Sequence, residues 1–213
     1  MADTLVMPER VMEARAIRVS ERPITFEQFL TIEDRDAHLE LVQGVLEERM
    51  SAQLEHESLH LWLVSLLRVY VGKLGLGTVL GSRTAVEINQ FAGRLPDILF
   101  VRKENEAIIQ SKAIYGTPDL VIEIVSPNDR PSDLIALEAD YRSIKVPEIV
   151  FIDARRRRLH LLHKHENDYE ETILTEGVWR SEAIEGIELP VTWLLDEPRP
   201  EVYDVLTTLL TSS

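Results

Sequence analysis

The 213-residue chain contains no cysteine, which excludes disulfides, iron–sulfur clusters, thiolate zinc sites and a cysteine nucleophile. Nor does it contain an apolar run approaching the roughly 18 to 20 residues of a membrane span. The first residues, MADTLVMPERVMEARAIRVSERP, mix charges of both signs and lack the apolar centre of a secretory signal. A glycine-rich phosphate loop, a serine elbow and a dinucleotide fingerprint are all missing. Aromatic residues are sparse, at 6%, which argues against a sugar platform and so against two acids acting across a glycoside. Basic charge is also in short supply, the formal net charge being −14. Nucleic acid would be repelled over most of such a surface, so contact with it needs a local basic patch or a metal bridging carboxylate to phosphate. These absences leave a cytoplasmic protein with no membrane partner as the expectation.

What is present reads as one ample domain, 23–213, behind an N-terminal lead, 1–22. Thr25 with Gln28 three residues on forms a capping box for a short helix. The stretch LELVQGVLEERM (39–50) has two apolar runs around Gln43-Gly44, a hairpin signal. From Gln53 to Leu74, the residues Leu59, Trp62, Leu63, Leu66, Leu67, Tyr70, Val71 and Leu74 recur at steps of three and four. They form one apolar stripe of a long helix that Gly75 stops. Strand-like runs follow at 78–82, 84–89, 97–102 and 119–125, then a helix over 132–144 capped by Ser132 or Asp133. Strands at 149–153, 158–163 and 168–175 and two short helices, near Thr192–Leu195 and Val202–Leu210, complete the chain.

Two of these strands carry acids where acids are costly. In PDILFVR, Asp97 opens an apolar strand. In PDLVIEIVSP, Glu123 shares a face with Val121 and Val125, while Leu120, Ile122 and Ile124 take the other. A carboxylate inside a strand that is apolar on both faces must be paired or must coordinate a cation. Glu40, in HLELVQG, alternates with Leu39 and Leu41 and on periodicity alone faces solvent. Residues 154–165 form a basic island of five Lys and Arg (Arg155–Arg158 and Lys164) with His160, His163 and His165. It reads either as a phosphate-contacting hairpin or as a solvated turn balancing nearby acids. His163 and His165 share a strand face and read as exposed side chains rather than metal ligands.

The ordered series TFEQFL, ELVQGVL, EH at the start of the long helix, PDILFV, PDLVIEIVSP and DL…Y…VPEIVFID resembles the Uma-type restriction-endonuclease family, within the PD-(D/E)XK nuclease superfamily. The resemblance runs from Pro23 to Leu195. It implies an α/β (α+β) fold with a restriction-endonuclease-like core, a central mixed β-sheet flanked by helices. It also implies a site in which Asp97, Glu123 and Glu40 hold Mg²⁺ or Mn²⁺ while His56 assists. The implied substrate is DNA, and a homodimer would suit cutting of both strands. Hard oxygen ligands are what Mg²⁺ takes.

One part of the family pattern is missing. The superfamily lysine would stand at Val125, and the lysine that the Uma-type group offers from the next helix would stand at Leu137. Lys145, Arg142, Arg130 and Lys103 are the cations that could substitute from elsewhere. Gln43 replaces the usual Asp of the ELVDG turn. Two functions therefore stand side by side: a metal-dependent endonuclease hydrolysing phosphodiester bonds in DNA, or a catalytically degenerate nuclease fold serving as a binding or structural module.

Overall fold

The computed structural model describes residues 16–17, 22–32, 39–48, 54–81, 83–127, 129–166 and 168–212. Most of the lead 1–22, the expected helix start at Gln53 and the end of the hairpin stretch at 49–50 lie outside these residues. In chain order the elements are β1 (Ala16–Ile17), α1 (Phe26–Phe29), β2 (Leu39–Val42), β3 (Val45–Glu48), α2 (Leu54–Leu74), β4 (Gly77–Gly81), β5 (Val86–Asn89), β6 (Ala92–Arg94) and β7 (Ile98–Arg102). After a 3₁₀ segment, Lys103–Ile108, come β8 (Leu120–Ile124), α3 (Pro131–Ser143), β9 (Glu148–Asp153), β10 (Arg158–His165), β11 (Asp168–Leu174), β12 (Val178–Arg180), β13 (Glu188–Pro190), α4 (Val191–Leu195) and α5 (Val202–Ser212).

A mixed α/β architecture results. Six strands run in the order β11-β10-β9-β8-β7-β4, and β1-β3-β2-β6-β5 form a second sheet. Within the six-stranded sheet only β8 and β9 are parallel. They are the pair joined by a helical crossover, α3, as parallel neighbours require. Both faces of the sheet are covered, so its central strands are apolar throughout. On one face Leu59, Leu63, Leu66 and Tyr70 of α2 meet Ile98, Phe100, Leu120, Ile122 and Val150. On the other, Leu137 and Tyr141 of α3 meet Leu99, Val121, Ile149 and Phe151.

The second sheet has a core of its own beneath α1, with Phe26, Phe29, Leu41 and Leu46. The Thr25 capping box forms as expected. Gln43 and Gly44 turn the hairpin with φ 49° and 77°, the left-handed pair of a tight two-residue hairpin, at which an Asp or Asn would be less strained than Gln43. Gly93 permits a close approach: a Cβ there would lie 2.4 Å from the Phe26 ring.

Some expectations shift. The α2 stripe is buried at six of its eight positions, whereas Trp62 is half-buried and Leu74, at the helix end, is 42% exposed. Helix α3 begins at Pro131, with Arg130 rather than Ser132 or Asp133 at the cap. Proline is pre-set for the first helical position, where its missing N–H costs nothing. Strands β6, β12 and β13, three residues each, are too short for a period to show. Among the described residues no helix is long and apolar enough to cross a membrane.

Candidate active site

Strands β7 and β8 pair antiparallel with Ile98 opposite Ile122, Leu99 opposite Val121 and Phe100 opposite Leu120. Asp97 immediately precedes β7, and its side chain reaches the Ile124 N–H, next to Glu123. Val121 faces α3, so by the two-residue alternation of β8 Glu123 faces it too, whereas Asp97 meets α2. Both acids are buried, at 7% and 1% exposure.

Each carboxylate is held by named partners. Asp97 Oδ2 accepts a hydrogen bond from the Ile124 backbone N–H at 2.8 Å, and His56 Nε2 of α2 lies 3.2 Å from the same oxygen. One helical turn on, His60 Nε2 lies 3.0 Å from the Asp97 carbonyl oxygen. Tyr141 of α3 donates its hydroxyl to Glu123 Oε1 at 2.5 Å. Helix α2 therefore orients one acid from its first turns, and α3 orients the other.

Glu40 is 4% exposed and not solvent-facing, contrary to what alternation alone suggests. The second sheet buries it, and Arg94 compensates. Arg94 Nη1 donates to Glu40 Oε2 at 2.9 Å, and its Nε donates to Asp140 Oδ2 at 2.7 Å. The Leu95 N–H also points to Glu40, at 3.4 Å. Burial by itself would depress the Arg94 pKa, but the two carboxylates outweigh it and the net shift is upward. Arg94 thus ties the hairpin to α3 one residue before Tyr141. Sequence reading missed it, although the signal is the one that exposed Glu123: a lone charge in an otherwise uncharged run, AGRLP, three residues before Asp97.

Arg94 pairs with Glu40 and Asp140, and His56 approaches Asp97. Asp97 and Glu123 supply hard oxygen donors on neighbouring strands, which suits Mg²⁺ or Mn²⁺. Among the described residues no group of three or more His, Cys, Asp or Glu side chains is arranged as a ready metal cage. The fit thus rests on the Asp97–Glu123 pair, with Glu40 engaged by Arg94.

Residues 26–192 match the profile of Uma2, a family described as "Putative restriction endonuclease". The chain belongs to the Uma2 family. No curated protein matches it. Among solved structures it is similar to one described as a "putative nuclease belonging to DUF820" from Anabaena variabilis. That match has a TM-score of 0.64 and 15% identity, and covers 88% of this chain and 99% of the other. At that identity the likeness speaks for a shared fold.

This Uma2 chain places an apolar side chain at both positions where the resemblance calls for lysine. Leu137 is 2% exposed and packed among Val121, Tyr141 and Phe151, with Val125 against the same cluster. Of the substitute cations, Arg142 is engaged by Glu138 and Glu171, while Lys145, Arg130 and Lys103 are exposed. A second Pro-Asp pair, Pro118-Asp119, is structural: Asp119 accepts from the Arg102 N–H and from Asn105. His163 is not exposed as expected. Its side chain is 14% accessible, with Nε2 3.4 Å from a buried Glu148 oxygen. His165 is exposed beside Glu170.

Proposed function

We propose that this chain is a metal-dependent endonuclease of PD-(D/E)XK type that hydrolyses phosphodiester bonds in DNA. The observation that carries the reading is that buried Asp97 accepts from the Ile124 N–H, which brings its carboxylate beside buried Glu123. Asp97 and Glu123 would hold Mg²⁺ or Mn²⁺, with Glu40 contributing through its contact to the 94–97 segment. When bound, the metal lowers the pKa of an attacking water and offsets charge on the phosphate.

The rest is done by the chain. The Ile124 N–H and His56 fix Asp97 Oδ2, and Tyr141 fixes Glu123 Oε1, so the acids are pre-oriented before substrate arrives. His56, touching Asp97 from α2, is the group placed to take or return a proton. Removing either acid as Asp97→Ala or Glu123→Ala should abolish Mn²⁺ binding by calorimetry and lower plasmid cleavage in Mg²⁺ or Mn²⁺ by about 10²-fold or more. Equal Mn²⁺ affinity in wild type and Asp97→Ala would show that the site is wrongly assigned.

A second reading, a nuclease fold that has lost catalysis, draws on Leu137 and Val125 and on the engagement of Arg94 with Glu40 and Asp140. Metal binding that depends on Asp97, without cleavage of plasmid by wild type, would favour that module.

A further inference from the structure

A groove of about 360 Å³ opens beside the carboxylates, between α3 and the strands β9 to β11. Its position follows from the topology. Val125, in its floor, lies two residues past Glu123 on the same face, and Phe151, also in the floor, is the parallel partner of Glu123 on β9. The groove therefore begins next to Glu123, on the side away from Asp97, at the carboxyl ends of the two parallel strands. Crevices at such ends are where open α/β sheets bind ligands.

The walls are chemically divided. Ile135 of α3 and Ile173 of β11 line opposite sides and are 69% and 57% exposed. Between them the turn after β9 contributes Arg156, and the first residue of β10 contributes Arg158. The acids of the groove are already matched. Glu138 and Glu171 both bind Arg142, and His160 also reaches Glu171. Asp153 accepts from the Arg156 N–H at 2.9 Å and from Arg156 Nη1 at 3.1 Å.

Arg158 is the less tightly held cation of the groove. It ion-pairs with Asp153 Oδ2 at 3.6 Å with its side chain 38% exposed, but its buried Nε makes no hydrogen bond among the described residues. A buried N–H without an acceptor is the kind of group that a missing ligand explains. A guanidinium fork also matches phosphate oxygens.

We propose that this groove is a backbone subsite for the nucleic-acid strand, in which Arg158, supported by Arg156, takes a phosphate flanking the scissile bond. Ile135 and Ile173 would pack against the adjoining sugar and base. The proposal rests on the nuclease reading for its choice of ligand. It also accounts for a −14 chain approaching DNA at all, because the favourable contact is confined to one lip next to the acids.

The test is anisotropy titration of a short fluorescein-labelled DNA oligonucleotide at several salt concentrations in EDTA, where binding is read without cleavage. Arg158→Gln should weaken binding about tenfold and flatten the log K against log salt slope by about 1, as loss of one phosphate contact does. Arg155→Gln, an exposed position on the same turn outside the groove, controls for loss of charge alone. An unchanged slope in Arg158→Gln, or an equal loss in Arg155→Gln, overturns the subsite.

A parallel cleavage assay separates the two ideas. Cleavage by wild type with no Arg158 effect on binding sinks the groove and spares the nuclease. Arg158-dependent binding without cleavage sinks the nuclease and keeps the groove. If Arg158→Gln does not fold, Arg156→Gln, at a half-exposed position, carries the same comparison.

Discussion

Two buried glutamates on adjacent parallel strands, Glu123 on β8 and Glu148 on β9, meet opposite fates. Glu148 stands at the start of β9, is fully buried, and accepts from Trp179 Nε1 at 3.0 Å, Ser181 Oγ at 2.7 Å and the Ala183 N–H at 2.9 Å. Its surroundings are neutral donors and one histidine, all of which favour a single negative charge. Glu123 stands near the end of β8, on the other sheet face, with Tyr141 on one oxygen and Asp97 bonded to the next backbone N–H. Burial alone therefore does not mark a site, since both are buried. A second buried carboxylate at the adjoining residue is what sets Glu123 apart. Glu148 pins the β12–β13 hairpin to the central sheet, while Glu123 lies beside the acid that we propose shares a metal with it.

The largest expected effect breaks the structural side of this contrast. Glu148→Ala removes the acceptor shared by three donors, two of them buried, and His163 loses its partner. The cost should be about 3–5 kcal/mol in urea unfolding, with Mn²⁺ affinity untouched. Should Mn²⁺ affinity fall along with stability, the two glutamates belong to one linked system and the contrast fails.

The next effect has the opposite sign. Glu123→Gln keeps an acceptor oxygen for Tyr141 but removes the repulsion from Asp97. In EDTA it should therefore stabilise the protein by about 1–3 kcal/mol, the scale of a like-charge contact at an effective dielectric of about 20. In Mg²⁺ the order should invert, because wild type alone gains ligand stabilisation. Paired calorimetric melts in the two buffers read both signs at once. A variant less stable than wild type in EDTA would mean that Glu123 is already compensated as Glu148 is.

Much of this was legible in the chain. The α2 stripe, the capping box at Thr25, the hairpin at Gln43-Gly44 and the sidedness of β8 follow from local period and turn chemistry, which sequence displays directly. Asp97 and Glu123 stood out because a charge in an apolar strand is expensive wherever that strand goes. Glu40 and Arg94 could not be read the same way. Glu40 sits in an alternating strand whose outer face is covered only when the second sheet docks. Its partner lies far along the chain, on a strand three residues long. The groove holding Arg158 likewise depends on how the basic turn meets α3. Of that turn, Arg157 pairs with Asp196 and Arg156 with Asp153. The island is thus partly the charge-balancing turn and partly, at Arg158, a cation held by one long ion pair to Asp153, a division invisible in a run of four arginines.

The smallest effect sharpens the Glu148 side through pH. His163 Nε2 lies 3.4 Å from Glu148 Oε1, and its Nδ1 lies 3.7 Å from Glu182 Oε1. The approach of the Glu148 carboxylate raises the His163 pKa above its ordinary 6.5. Burial opposes the shift, and the charges of Glu148, Glu182 and Glu170 add to it. A histidine whose pKa is higher folded than unfolded binds more protons in the native state, so its contribution falls as pH rises. That contribution is fully present below about pH 6.5 and is lost as pH climbs through the raised folded value. The melting temperature of wild type should therefore exceed that of His163→Gln most at about pH 6 and converge toward it at alkaline pH. A gap that widens with pH would mean that His163 is held neutral, leaving Glu148 to its uncharged donors alone.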